Sequence, residues 1–285
     1  MRAFVEPLEE LSGFEEMTHN MQQEGLISIT GCIDAQKPHM IYGVGNGRKN
    51  KIIVTFHEQK AKELYEDYRF FDPAVVYYPA KDVLFYQSDI RGNLLTAERI
   101  QALRAIHEQD EVTVITTFDA LMNTMAPAKQ LWDSICRIAP EDTIDLEQMK
   151  DLLVCMGYEK EYQVESMGQF AIRGGILDIF PLTEDNPVRI EMWGDEVDTI
   201  RSFDVESQKS IENLDEVVIY PACELVLTEA EKRAGIEKLL KEAESFSKKL
   251  RKEMKTEEAH RALSQAQELA EETLLCTHAN QDQDK

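Results

Sequence analysis

The stretch Gly168 to Pro181, GQFAIRGGILDIFP, is followed closely by Val188 to Asp204, VRIEMWGDEVDTIRSFD. The first block reads as a polar-to-apolar strand followed by the buried strand ILDIF, and the second as a two-strand ribbon. Gly174-Gly175 breaks the first block and Gly194-Asp195 turns the second, which gives two tight hairpin positions. A helical period cannot bury such a pattern, so the region is constrained to an antiparallel sheet. Arg173 sits beside the first break, Arg189 opens the ribbon, and Trp193 lies just before its turn. Spaced four apart, Arg189 and Trp193 share a strand face. An arginine on a strand is usually solvated and a tryptophan usually half-buried. Yet both types are enriched at binding hot spots, and no nucleophile, base or metal cluster accompanies them. The surface suits docking better than chemistry.

At 285 residues the chain is long for a single core, so two or more packing units are expected. Its 43% hydrophobic and 30% charged content is that of a globular protein. No apolar run reaches the roughly 18 residues of a membrane span, and acids with Pro7 occupy the place of a secretory signal. The five cysteines, Cys32, Cys136, Cys155, Cys223 and Cys276, are scattered and form no CxxC pair. Reduced thiols in a cytoplasmic protein are the expectation. The six histidines have no ligand spacing, so no metal is expected. Acids outnumber bases 54 to 31, a net charge of −23. Such a balance disfavours gripping a nucleic-acid backbone, although a basic cluster stands at Lys248, Lys249, Arg251 and Lys252.

Residues 1–128 alternate helical and strand patterns. The spacing predicts a helix over Leu8 to Gln23, then buried strands at Gly25 to Gly31, Lys51 to Phe56, Ala74 to Pro79 and Val112 to Phe118, with amphipathic helices between. That is an α/β lobe with a parallel sheet covered on both faces. Residues 129–222 read as an inserted small α+β domain, antiparallel in its strands, with one helix at Asp145 to Met156. The insert carries 8 Lys/Arg against 21 Asp/Glu, a net of −13. Residues 223–285 read as a helical segment returning to the first lobe. A capping box opens it at Thr228 to Glu231, and Ile236, Leu239, Ala243, Phe246 and Leu250 recur at helical spacing. Packing on its own domain is favoured over a coiled coil, since two heptads are short for one. The ending CTHANQDQDK has no core-forming pattern. The chain reads as a piece of something longer.

The first expected strand runs into Gly31-Cys32-Ile33-Asp34-Ala35-Gln36-Lys37-Pro38, where a phosphate-binding loop would read GxxxxGK[ST]. Gly31 and Lys37 fit that loop. Gln36 places a side chain where backbone must approach phosphate, and Pro38 replaces the metal-binding hydroxyl and lacks an N–H. The loop is therefore a degenerate nucleotide site, and no cofactor is expected. The glycines at Gly43 to Gly47 read as a helix stop. Glu191, Asp195, Glu196 and Asp198 read as a solvated face rather than a catalytic pair. The alternative reading of the chain is an ATP-dependent DNA-remodelling enzyme domain with an atypical nucleotide site.

The block from GQFAIRGGILDIFP through VRIEMWGDEVDTIRSFDVES to VVIYPACEL resembles bacterial transcription-repair coupling factor (Mfd) and, more distantly, the excision-repair subunit UvrB. PAKDVLFYQSDIRGNLLTAERIQALR extends the likeness into the first lobe. The broken loop, and the short segment between Tyr78 and Arg91 where UvrB carries a DNA-clamping hairpin, favour the N-terminal module of the coupling factor. The resemblance implies a non-catalytic module that recruits UvrA for nucleotide excision repair through Arg173, Arg189 and Trp193. Trp193 stands where relatives often have phenylalanine. It further implies partners met through other domains, RNA polymerase and double-stranded DNA, the latter moved by a translocase motor. It also implies a C-terminal domain that masks the UvrA-docking face.

Overall fold

A computed structural model describes residues 2–21, 25–81, 89–123, 125 and 127–279. The chain divides into two compact units, Met1–Met125 and Ala126–Lys285. The first unit begins with helices α1 (Arg2–Glu9) and α2 (Phe14–Met21). The single helix expected from Leu8 to Gln23 is thus interrupted, because Gly13 takes φ +88°, outside the helical region. A short 3-10 turn (Asp34–Gln36) leads into α3 (Lys37–Val44), which stops at Gly45 as expected. Then follow β1 (Asn50–Thr55), α4 (Glu58–Tyr68), β2 (Val75–Tyr78), α5 (Asp89–Glu108), β3 (Val112–Thr117) and α6 (Phe118–Met122).

The sheet order is β1-β3-β2, with both pairings parallel. Central β3 is buried along its whole length, as its continuous apolar and threonine sequence demands. Edge strand β1 alternates instead, and Ile52 on it is 67% exposed, so the sheet is covered on both faces only away from that edge. The strand expected at Gly25 to Gly31 does not form. Those residues run as coil with Leu26 fully exposed, and no ladder partner is supplied to them. An apolar run becomes a strand only when a neighbour takes its backbone hydrogen bonds.

Ala61, Tyr68 and Ile115 are sealed at the centre of this unit's core. Asp72 ties the sheet together from below. It accepts from Lys51 on β1 at 3.1 Å, from Thr113 on β3 at 2.6 Å, and from the Ala74 amide at 3.1 Å.

The second unit contains α7 (Ala128–Asp133), β4 (Cys136–Ile138), α8 (Leu146–Cys155), β5 (Glu159–Lys160), β6 (Gln169–Arg173), β7 (Ile176–Ile179), β8 (Val188–Trp193), β9 (Glu196–Phe203), β10 (Ser210–Asn213) and β11 (Val217–Ile219). Helices α9 (Glu229–Lys252) and α10 (Thr256–Ala279) complete it. Six strands form one sheet in the order β10-β9-β8-β7-β6-β5, antiparallel except for β5 beside β6. Strands β4 and β11 form a separate antiparallel pair.

Helix α8 lies against one face of the large sheet. Asp145 caps it by accepting from the amides of Glu147 and Gln148, and Leu153 and Met156 reach Phe170, Leu177, Ile190 and Ile200 in a sealed core. Fully burying each such side chain contributes about 1.5–3 kcal/mol. Gly157 ends the helix at φ +88°, where an added Cβ would lie 2.8 Å from Cys223 Sγ.

Helices α9 and α10 pack on each other across a three-residue turn that includes Met254 at φ 64°. The Thr228 and Glu231 capping box forms as expected, with both reciprocal bonds present. Along α9, Ser247 and Leu250 are buried while Phe246 is exposed, so the buried stripe is narrower than the spacing indicates. α10 continues through Cys276 to Ala279.

Candidate functional site

The face of the large sheet opposite α8 carries the residues that drew attention in the sequence. Because strand residues alternate, Leu177, Ile179, Val188 and Ile190 point into the core, and Asp178 and Arg189 point away from it. The register sets the outer residues in rows. Ala171, Asp178, Arg189 and Arg201 lie directly across from one another on β6, β7, β8 and β9. The next row holds Arg173, Ile176, Glu191 and Thr199. At the tip, Trp193 pairs with Glu196 around the Gly194-Asp195 turn, where Gly194 takes φ +66°.

Asp178 is the centre of this arrangement. It is only 1% exposed, yet it is ionically paired twice. Its Oδ1 accepts from Arg189 Nε at 2.7 Å, and its Oδ2 accepts from Arg189 Nη2 at 2.8 Å and from Arg173 Nη2 at 2.5 Å. The first two bonds are the bidentate fork that fits guanidinium to carboxylate. They hold Arg189 above the usual guanidinium pKa, and nearby Asp178 and Glu191 charge adds to that. Arg189 also lies over the Phe203 ring at 4.6 Å and reaches Gln208 Oε1 at 3.4 Å. Its side chain keeps 17% exposure, against 38% for Arg173.

Beside this pair, Arg201 Nη2 donates to Glu191, which also accepts from Thr199 Oγ1 at 3.1 Å. Arg189 and Arg201, like charges directly opposite, would repel. The two carboxylates offset this. Beyond Arg189, Val164, Ala171, Phe180 and Phe203 form a small buried apolar cluster.

Arg173 and Arg189 are therefore brought together on one carboxylate. Trp193 shares their face but stands apart, about 13 Å along the strand from Arg189 at normal strand rise, with 85% of its surface exposed. Of the acids read as solvated, Glu196 and Asp198 are exposed, whereas Glu191 is engaged with Arg201. Neither Asp178 nor Arg201 is among the site residues the sequence singles out. A charged residue inside ILDIF was the available signal for the first. No local signal marks the second, because a β-bulge decides its face.

The loop read as a degenerate nucleotide site lies in the first unit. Gly31 takes φ +85°, Gln36 closes the 3-10 turn, and Pro38 is buried in the first turn of α3. The Lys37 ammonium donates to Asp34 Oδ1 at 2.5 Å, and that contact lowers the Asp34 carboxyl pKa. The short segment between Tyr78 and Arg91 falls largely outside the described residues. No helix among the described residues is long and apolar enough to cross a membrane.

A six-stranded sheet backed by one helix thus carries paired arginines on its other face, and residues 136–225, which contain that sheet, match the family model of the UvrB interaction domain. That match spans β4 to β11 and so contains every residue of the outer face. The chain is also 34% identical over 197 residues, 69% of its length, to the transcription-repair-coupling factor of Bacillus subtilis. It is 31% identical over 227 residues, 78% of its length, to that of Staphylococcus aureus. These alignments span 17% and 19% of the two relatives. The chain is a homologue of the transcription-repair-coupling factors that carries a UvrB interaction domain.

Proposed function

We propose that this chain is a non-catalytic adaptor that recruits UvrA for nucleotide excision repair coupled to transcription. The docking face is the open side of the large sheet, with Arg173, Arg189 and Trp193 as its contact residues. The observation that carries this reading is the convergence of Arg173 and Arg189 on buried Asp178 within a domain otherwise dominated by acids. Fixed strands keep the ordering cost of those side chains low, which favours binding. An exposed indole on the same face adds apolar area of the kind that interface anchors bury. RNA polymerase and double-stranded DNA are partners of the longer relatives' other regions in this reading. The loop at Gly31, Gln36, Lys37 and Pro38 is a relic without nucleotide.

A pull-down with purified UvrA tests the assignment. The chain is expected to retain UvrA, UvrB is expected to compete for it, and Arg173→Ala is expected to weaken binding by about thirtyfold, or 2 kcal/mol. An Arg173→Ala chain that folds normally and binds UvrA as tightly as the parent would refute it.

A further inference from the structure

We propose that Asp178 is a positioning residue for recognition: it aims the Arg173 guanidinium outward, and the partner group that Arg173 takes is a carboxylate. This rests on the docking reading above and divides the labour within it. Arg189 spends more of its donors inside the fold, in its fork onto Asp178 and its reach to Gln208, lies over the Phe203 ring, and keeps fewer donors for a partner. Arg173 is different. Among the described residues its side chain makes one hydrogen bond, the contact to Asp178 Oδ2, and it is the more exposed of the two. A guanidinium has five N–H donors, so most of Arg173's remain for a partner.

The charge balance identifies that partner's chemistry. Arg173, Arg189 and Arg201 face Asp178 and Glu191, so three cations meet two anions and one positive charge is left over. Three of the four arginines between residues 129 and 222 lie here, in a segment with 21 acids. A planar fork with spare donors matches a carboxylate better than any other protein group. Elsewhere the acidic surface repels such a group, which makes the cluster selective as well as attractive. The occupant is an acidic side chain on UvrA.

Affinity titrations of the 285-residue chain against purified UvrA separate positioning from simple charge attraction. Asp178→Asn keeps the shape and removes a negative charge beside the arginines. If net charge alone governed binding, this variant would bind an acidic group more tightly. Positioning requires the opposite, a loss of about tenfold. In an Arg173→Ala background the same change is expected to alter affinity less than about twofold, because its route to the partner has been removed.

Arg173→Lys keeps the charge at a partly exposed position and leaves the buried carboxylate its fork from Arg189. It is expected to lose about tenfold through loss of the fork, and it decides the matter should Asp178→Asn fail to fold. Asp178→Asn binding as tightly as the parent or tighter, full additivity with Arg173→Ala, or Arg173→Lys matching the parent would each overturn the proposal while leaving docking intact. A parent chain that does not bind UvrA overturns both.

Discussion

Trp193 and Asp178 show how differently two residues of one face serve the protein. Asp178 is buried and holds two cations, so its loss would leave guanidiniums facing an apolar wall without their counter-charge. Trp193 is 85% exposed and makes almost no contribution to the core. A large indole left in water at a hairpin tip is held there by the strand register, not by packing. Trp193→Ala is therefore expected to change unfolding free energy by less than about 0.5 kcal/mol, as read from urea denaturation. The same change is expected to weaken UvrA binding at least tenfold, or about 1.4 kcal/mol. Unchanged affinity would remove Trp193 from the contact set.

At the scale of elements, the helices and most strands follow from local pattern, and their joints do not. The helix bounded by Asp145 and Met156 and the Thr228 capping box are legible because each rests on chemistry within a few residues. The strand expected at Gly25 to Gly31 was misread because its apolar run says nothing about whether a neighbour will pair with it. Asp72 shows a joint that does hold, linking β1 to β3 and to the chain entering β2. Burial raises its carboxyl pKa, but the bonds from Thr113, Lys51 and Ala74 outweigh burial and leave the pKa below its ordinary 3.8. The folded state thus binds the proton more weakly than the unfolded chain does. The stability Asp72 contributes is complete above pH 3.8 and is lost as pH falls through the lowered folded value. Asp72→Asn is expected to flatten the loss of first-unit stability over that acid range, followed by circular dichroism during combined acid and urea titration. An unchanged acid profile would show that Asp72 is not linked to folding there.

Over the whole molecule, the dominant fact is a net charge of −23. A duplex backbone repels such a surface, and the basic cluster at Lys248, Lys249, Arg251 and Lys252 is confined to the end of one helix. Binding to duplex DNA at about 150 mM salt is expected to be undetectable by fluorescence anisotropy, with the Debye length there only about 8 Å. Tight binding that falls steeply with salt would contradict this. The sequence by itself determined the α/β character of the first unit, the antiparallel sheet of the second and the shared face of Arg189 and Trp193. These depend on periodicity and turn residues, which are local. Tertiary structure alone decided which cations would meet. Counting back from the two-residue turn in a regular hairpin would pair Arg189 with Ile200 and turn Arg201 toward the core. Instead, the extra residue at Asp198 shifts the register, so Arg201 comes to lie opposite Arg189 on the outer face. Asp178 likewise became an anchor only when β6 and β8 closed on either side of it. A one-residue slip reverses every side chain beyond it, and the energy that selects the register is spread over the whole packed sheet.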